Sequence, residues 1–106
     1  MSKYAGWKSF EHQIVNMFRK AGWKQAKRNW SEQFGKKSGI DILNTEPYAV
    51  QCKYQKSPNL IKAWQEASNE AKTGELPVGI CRNTKKKKTF IIMELKDWKW
   101  MLNLIK

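Results

Sequence analysis

The sequence is short of acid: 9 Asp and Glu stand against 21 Lys and Arg in 106 residues, a formal net charge of +12. A surplus of that size in so short a chain points to a polyanionic partner. Histidine is scarcer still, with His12 alone, and there is no C-x-x-C, so zinc-ligand spacing is absent. The two cysteines, Cys52 and Cys81, lie in apolar stretches and read as buried, reduced thiols rather than a disulfide framework. No apolar run approaches the ~20 residues that span a bilayer, and the first residues lack the apolar core of a signal peptide. The expectation is a cytoplasmic protein, off the membrane. A chain of this length has room for one hydrophobic core, hence one domain over residues 1–106.

What is present supports folding. Hydrophobic residues make up 41% and aromatic residues 12%, including six Trp, which is enough for a core and unlike a basic disordered tail.

Ser9 is an N-cap residue type, and Phe10, Ile14, Met17, Phe18 and Ala21 recur at helical spacing up to Gly22, predicting a first amphipathic helix. Residues 31–39 read as a loop with a strand on either side, the second at Ile40-Asp41-Ile42-Leu43. After the turn Asn44-Thr45-Glu46-Pro47, apolar and polar residues alternate from Tyr48 to Gln55, the clearest strand in the chain. Ser57-Pro58 reads as an N-cap with proline at N1, opening a second helix with Leu60, Ala63, Trp64, Ala67 and Ala71 on one stripe and a stop at Gly74. Val78 to Arg82 and Thr89 to Glu94 flank Asn83–Lys88, a hairpin with a basic tip. Leu95, Trp98, Met101, Leu102 and Ile105 give a terminal helix. The order is α-β-β-β-α-β-β-α, an α+β sheet domain.

Period two puts Gln51 and Lys53 on one face of the Tyr48 strand, opposite Val50 and Cys52. Asp41 lies between Ile40 and Ile42, where an unpaired carboxylate is costly. If these two strands are neighbours, Asp41, Gln51 and Lys53 converge. Glu11, in the first turn of the predicted first helix and bordering its apolar stripe, leans over the same sheet. The bland alternatives are a strand-end turn for Asp41, the wet face of an edge strand for Gln51 and Lys53, and helix-dipole chemistry for Glu11.

The pattern Glu11, then Gly39-Ile40-Asp41, then Val50-Gln51-Cys52-Lys53 resembles the PD-(D/E)xK nuclease superfamily, and its order and short length are most similar to the archaeal and phage Holliday-junction resolvases. The helix running from Phe10-Glu11 to Ala21-Gly22-Trp23, the Ser38-Gly39 pair and the terminal Leu95-Lys96-Asp97-Trp98 add to the likeness. Gln51 stands where the family has Glu, and Ile40 where it has proline; the Q-x-K form is similar to that of methyl-directed restriction nucleases of the same superfamily. The resemblance implies a restriction-endonuclease-like core, with a central mixed β-sheet flanked by helices, in a prokaryotic cell or a phage-infected host. It implies a Mg²⁺ site, with Mn²⁺ a possible substitute, held by Asp41, Glu11, the Gln51 side-chain oxygen and the Cys52 backbone carbonyl. Glu11, Asp41, Gln51 and Lys53 are then the catalytic set. Glutamine keeps an oxygen ligand but gives up a charge, so metal binding is weakened. Carboxylates beside a lysine favour its ammonium form, so Lys53 takes the electrostatic role.

The remaining positive charge has DNA as its expected partner: Lys24, Lys27 and Arg28 after the first helix, Lys36, Lys37 and Ser38 in the loop before Asp41, and Lys85, Lys86, Lys87 and Lys88 at the hairpin tip. Phosphate contacts set register without reading sequence, which favours structure-selective binding. Trp7, Trp23 and Trp30, among lysines, are candidates for nucleic-acid contact, whereas Trp64, Trp98 and Trp100 read as core or interface. Symmetric cutting of a four-way junction needs two sites, so a homodimer is expected, with Trp100 and Leu104 or the second helix contributing to its surface. The alternatives are a restriction-like or replication-associated nuclease of the same fold, or a non-catalytic DNA-binding module, which Gln51 favours.

Overall fold

The alternating segment that begins at Tyr48 lies in the middle of a sheet, and the other elements are arranged around it. A computed structural model describes residues 3–29 and 40–105. Among these the order is α1 (Lys3–Ala21), β1 (Lys27–Arg28), β2 (Ile42–Leu43), β3 (Tyr48–Gln55), α2 (Leu60–Glu70), β4 (Leu76–Asn83), β5 (Lys88–Ile92) and α3 (Leu95–Leu104). The strands lie side by side in chain order. β3 and β4 run parallel, joined by the α2 crossover, and the other neighbours are antiparallel, so the fold is α+β with a mixed sheet flanked by helices.

Helix α1 starts at Lys3, not after Ser9, which is exposed inside the helix. Tertiary packing outweighs the cap signal: half-buried Trp7 extends the stripe of Phe10 and Ile14, and a Cβ on Gly6 would lie 2.8 Å from the Tyr54 hydroxyl oxygen. Glu11 is therefore in the third turn, and the dipole reading of its role falls away. The predicted stop holds. Gly22 has φ 123°, its N–H donates to the Arg19 carbonyl at 3.2 Å, and the Trp23 N–H donates to the Phe18 carbonyl at 2.9 Å. That Schellman motif sets the Trp23 ring edge-on to Phe18, with centroids 5.5 Å apart.

Alternation divides the sheet into two faces. Val50, Cys52, Val78 and Ile80 join Phe10, Ile14, Val15 and Phe18 of α1 in the main core, each large side chain contributing about 1.5–3 kcal/mol. On the opposite face Gly79 lets α2 approach closely: a Cβ there would meet the Ala63 Cβ at 3.0 Å and the Ile92 Cγ2 at 2.8 Å. Helix α2 is capped by Asn59, whose side chain accepts the Lys62 N–H at 3.0 Å, rather than by Ser57; Asn is at least as good a cap, so Pro58 precedes the helix. Gly74 sits in the turn beyond the Ala71 C-cap. β4 is longer than expected at both ends because it pairs with β3 residue for residue, from Tyr48↔Leu76 to Gln55↔Asn83.

Helix α3 forms where expected. Leu95, Trp98, Leu102 and Ile105, whose spacing marks it in the sequence, are exposed, and Asp97 is the residue the helix buries. Asp97 lies in the first turn, where a carboxylate favours the helix dipole, and with that side inward the apolar face points out. Half-buried Met101 lines an apolar cavity of about 260 Å³ with Met17, Trp23 and Tyr48. Among the described residues no helix is long and apolar enough to cross a membrane.

Candidate functional site

β2 and β3 are antiparallel neighbours in the register Ile42↔Val50, and extending that register by one residue sets Asp41 beside Gln51. Asp41 is buried and tied down through three atoms. Its N–H donates to the Val50 carbonyl at 3.1 Å, its carbonyl accepts the Asn29 N–H at 2.8 Å, and its Oδ2 accepts the Cys52 N–H at 2.8 Å. Asn29 also gives its side-chain amide to the Ile40 carbonyl at 2.8 Å, fixing the chain just ahead of the aspartate. Asp41 thus sits where β2 adjoins the middle of β3, with its carboxylate on the Cys52 backbone. A strand residue points its N–H and C=O to the same edge, which puts the Cys52 carbonyl on the Asp41 side of β3.

Gln51 and Lys53 project from β3 toward α2. The Gln51 Oε1 is buried and has no hydrogen-bond partner among the described residues. Lys53 forms an ion pair with Glu66 of α2. The sequence reading missed Glu66, although its position three residues after Ala63 and next to Ala67 places it on the sheet-facing side of the helix. Cys81, opposite Lys53 in the β3–β4 register, has its thiol pushed above its ordinary value by burial, with Lys53 pulling it down and Glu66 pushing it up.

Glu11 is engaged elsewhere. It is 1% exposed, and its Oε1 accepts from the Arg28 Nε at 2.8 Å. This corrects the assignment of Arg28 to phosphate contact: the guanidinium is buried on Glu11 and stacked over the Trp7 ring, 5.5 Å from its centroid. Desolvating a carboxylate near the core requires a partner, and Arg28, the neighbour of Ile42 across β1–β2, is placed to give it. Trp7 and Trp23 are likewise committed to packing, Trp23 within an aromatic group with Phe18 and Tyr48. Among the described residues no three His, Cys, Asp or Glu side chains cluster to hold a metal ion.

Of the expected DNA contacts, Lys24, Lys27 and Lys85, Lys86, Lys87 and Lys88 are exposed, and Lys36, Lys37 and Ser38, with Trp30, lie outside the described residues. The hairpin tip is built by the Asn83 side chain accepting the Lys86 N–H at 2.8 Å and by Lys87 at φ 55°. Between the end of β3 and this hairpin runs an open cleft of about 560 Å³ lined by Tyr54, Gln55, Lys56 and Thr84. It begins one residue beyond Lys53. His12 is exposed. Compared with protein-family models, curated proteins and solved structures, the chain finds no match.

Proposed function

We propose that this chain is a metal-dependent, structure-selective DNA endonuclease of the PD-(D/E)xK type that resolves four-way junctions by phosphodiester hydrolysis. The observation that carries the reading is a buried aspartate held against the strand that presents Gln51 and Lys53. The donors suit a hard divalent cation, being a carboxylate, a backbone carbonyl and an amide oxygen, and the buried Gln51 Oε1 without a partner among the described residues is the atom such an ion would satisfy. Asp41, the Gln51 Oε1 and the Cys52 carbonyl would hold Mg²⁺ or Mn²⁺; Glu11, bound to Arg28, acts instead by anchoring α1 to β1.

A bound cation would acidify a water and polarise the phosphate. Lys53 supplies positive charge to the phosphoryl oxygens as the water oxygen bonds to phosphorus and the P–O bond to the leaving strand breaks. The net charge of +12 and the lysine-tipped hairpin beside the cleft supply sequence-independent affinity. A homodimer would give the two sites that symmetric cutting requires, and the outward apolar face of α3, with Trp100 44% and Leu104 62% exposed, is the surface it would use.

A second reading, a DNA-binding module without catalysis, draws on Lys53 being occupied by Glu66 and on Gln51 bringing no charge to the site. Nicking assays with Mg²⁺ on labelled junctions separate the two: paired, EDTA-sensitive nicks support the nuclease, and tight binding without cutting in Mg²⁺ or Mn²⁺ supports the module.

A further inference from the structure

The first turn of α3 buries a carboxylate that the fold uses only in part. Asp97 is 4% exposed, and its Oδ2 has no hydrogen-bond partner among the described residues. Its Oδ1 accepts from the Lys96 Nζ at 3.1 Å, but the Lys96 side chain is 71% exposed, and a pair so open to water holds its carboxylate weakly. The helix dipole favours the charge of Asp97 and gives Oδ2 no donor. A buried oxygen in that state calls for an explanation, and the concavity beside it supplies one. Asp97 and Lys96 line a pocket of about 330 Å³ with Pro47, Gly74, Leu76 and Trp100. The Leu76 N–H donates to the Pro47 carbonyl at 2.7 Å, tying the turn at Gly74 to the turn at Pro47, so these walls are built without a ligand. Lys96 is held above its ordinary value by its hydrogen bond to Asp97 and by the charges of Asp97 and Glu94. Two carboxylates therefore act on one ammonium here, in a chain whose net charge is +12.

We propose that this pocket binds a small organic cation, a primary ammonium on a short apolar stem, with the ammonium between the Asp97 Oδ2 and the Trp100 ring and the stem against Pro47 and Leu76. Each wall selects for that chemistry. The volume lies at the lower end of small-molecule sites, which run from roughly 300 to 1,000 Å³. With Oδ1 engaged by Lys96, one carboxylate oxygen is left, which suits an ammonium better than the two-pronged fork of a guanidinium. Tryptophan is the aromatic ring that attracts a cation most strongly, and a methylene stem lies well along Pro47 and Leu76. An anion would be repelled by Asp97, and an apolar solute would leave Oδ2 unpaired. The site uses no residue of the proposed cation centre, so it stands apart from the nuclease reading; Trp100 also belongs to the face assigned to the dimer, so sedimentation accompanies the binding test.

The probe is n-butylammonium, titrated into the full chain without DNA or metal and followed by heteronuclear NMR, with n-butanol as the neutral counterpart carrying the same stem. Wild type, Asp97→Asn, Trp100→Leu and Lys96→Met are compared, each first checked for a cooperative thermal transition. Expected in wild type are saturable shifts of the Leu76, Asp97 and Trp100 amides with n-butylammonium and none that saturate with n-butanol. Affinity should fall at least about tenfold in Asp97→Asn, the loss of a hydrogen bond to a charged group. It should fall about two- to fivefold in Trp100→Leu, which leaves Asp97 in place and so guards against Asp97→Asn acting through local unfolding. Lys96→Met should bind about two- to fivefold more tightly, because a like charge leaves the pocket mouth, an effect that a purely structural Asp97 would not give. Equal binding of n-butylammonium and n-butanol, or wild-type affinity retained in Asp97→Asn, overturns the proposal. So does a wild type that binds no n-butylammonium while Asp97→Asn sediments as a smaller species, a result that would assign Oδ2 to a basic side chain of a second copy.

Discussion

The Asp41 carboxylate accepts the backbone N–H of Cys52 at 2.8 Å, so the residue expected to do chemistry also ties its own segment to β3. The two roles come apart by substitution. Asp41→Asn keeps an oxygen for the Cys52 N–H and removes the charge, whereas Asp41→Ala leaves that buried N–H without its acceptor, which costs about 1–3 kcal/mol. Urea unfolding should therefore show Asp41→Ala destabilised by that amount relative to Asp41→Asn, while both lose about 10²–10³-fold in cleavage rate.

Glu11 and Arg28 form a buried pair whose members depend on each other. Removing one takes from the other its 2.8 Å partner, so Glu11→Ala should lose more stability than Glu11→Leu/Arg28→Met, in which both charges go together. Chemical denaturation of the single and double variants measures the difference. Equal losses would mean that Arg28 draws its stability from elsewhere.

The hairpin lysines are expected to touch phosphate. Changing Lys85, Lys86 and Lys88 to Ala and Lys87 to Asn, which tolerates the φ of 55°, removes four charges without straining the turn. The slope of log affinity against log salt should fall by about 0.9 for each lysine that contacts duplex phosphate. An unchanged slope would leave the tip as a solvated loop.

Cys81 carries a thiol raised above the ordinary value near 9.0, chiefly by burial. A raised acid stays protonated, so the native thiol should alkylate slowly at neutral pH and rapidly after unfolding. Because the unfolded thiol ionises first, this site's contribution to stability is complete below pH 9 and is lost as pH rises through the raised value. Lys53→Met, which removes the lysine that pulls this thiol down, should slow alkylation further in metal-free buffer.

The outward face of α3 makes a prediction about assembly. Trp100→Glu/Leu104→Glu should shift the protein from dimer to monomer in sedimentation at micromolar concentration while leaving its far-ultraviolet circular dichroism unchanged, because both side chains are exposed within the chain. A wild-type protein that sediments as a monomer contradicts the dimer.

The residues differ in how far the sequence alone disclosed them. β3 was legible because its alternation is local, and the convergence of Asp41 with Gln51 followed once β2 and β3 were neighbours. Glu66 was not legible, since its meeting with Lys53 depends on how closely the α2 crossover lies on the sheet, a distance set by Gly79 and Ala63 rather than by any motif. Arg28 misled because charge alone does not tell a phosphate contact from a buried counter-ion. In α3, helical spacing disclosed an apolar face but not its direction, because spacing alone does not say which side of a helix packs on the rest of the chain. The expected contacts at Lys36, Lys37 and Ser38 fall outside the described residues.

The most direct test of the central claim is cleavage of a labelled synthetic four-way junction beside matched duplex, in Mg²⁺ or EDTA, by wild type and Asp41→Asn. Paired symmetric nicks in the junction alone, abolished by EDTA and by Asp41→Asn, are the predicted result. Tight junction binding with no cutting by wild type in either Mg²⁺ or Mn²⁺ would contradict it.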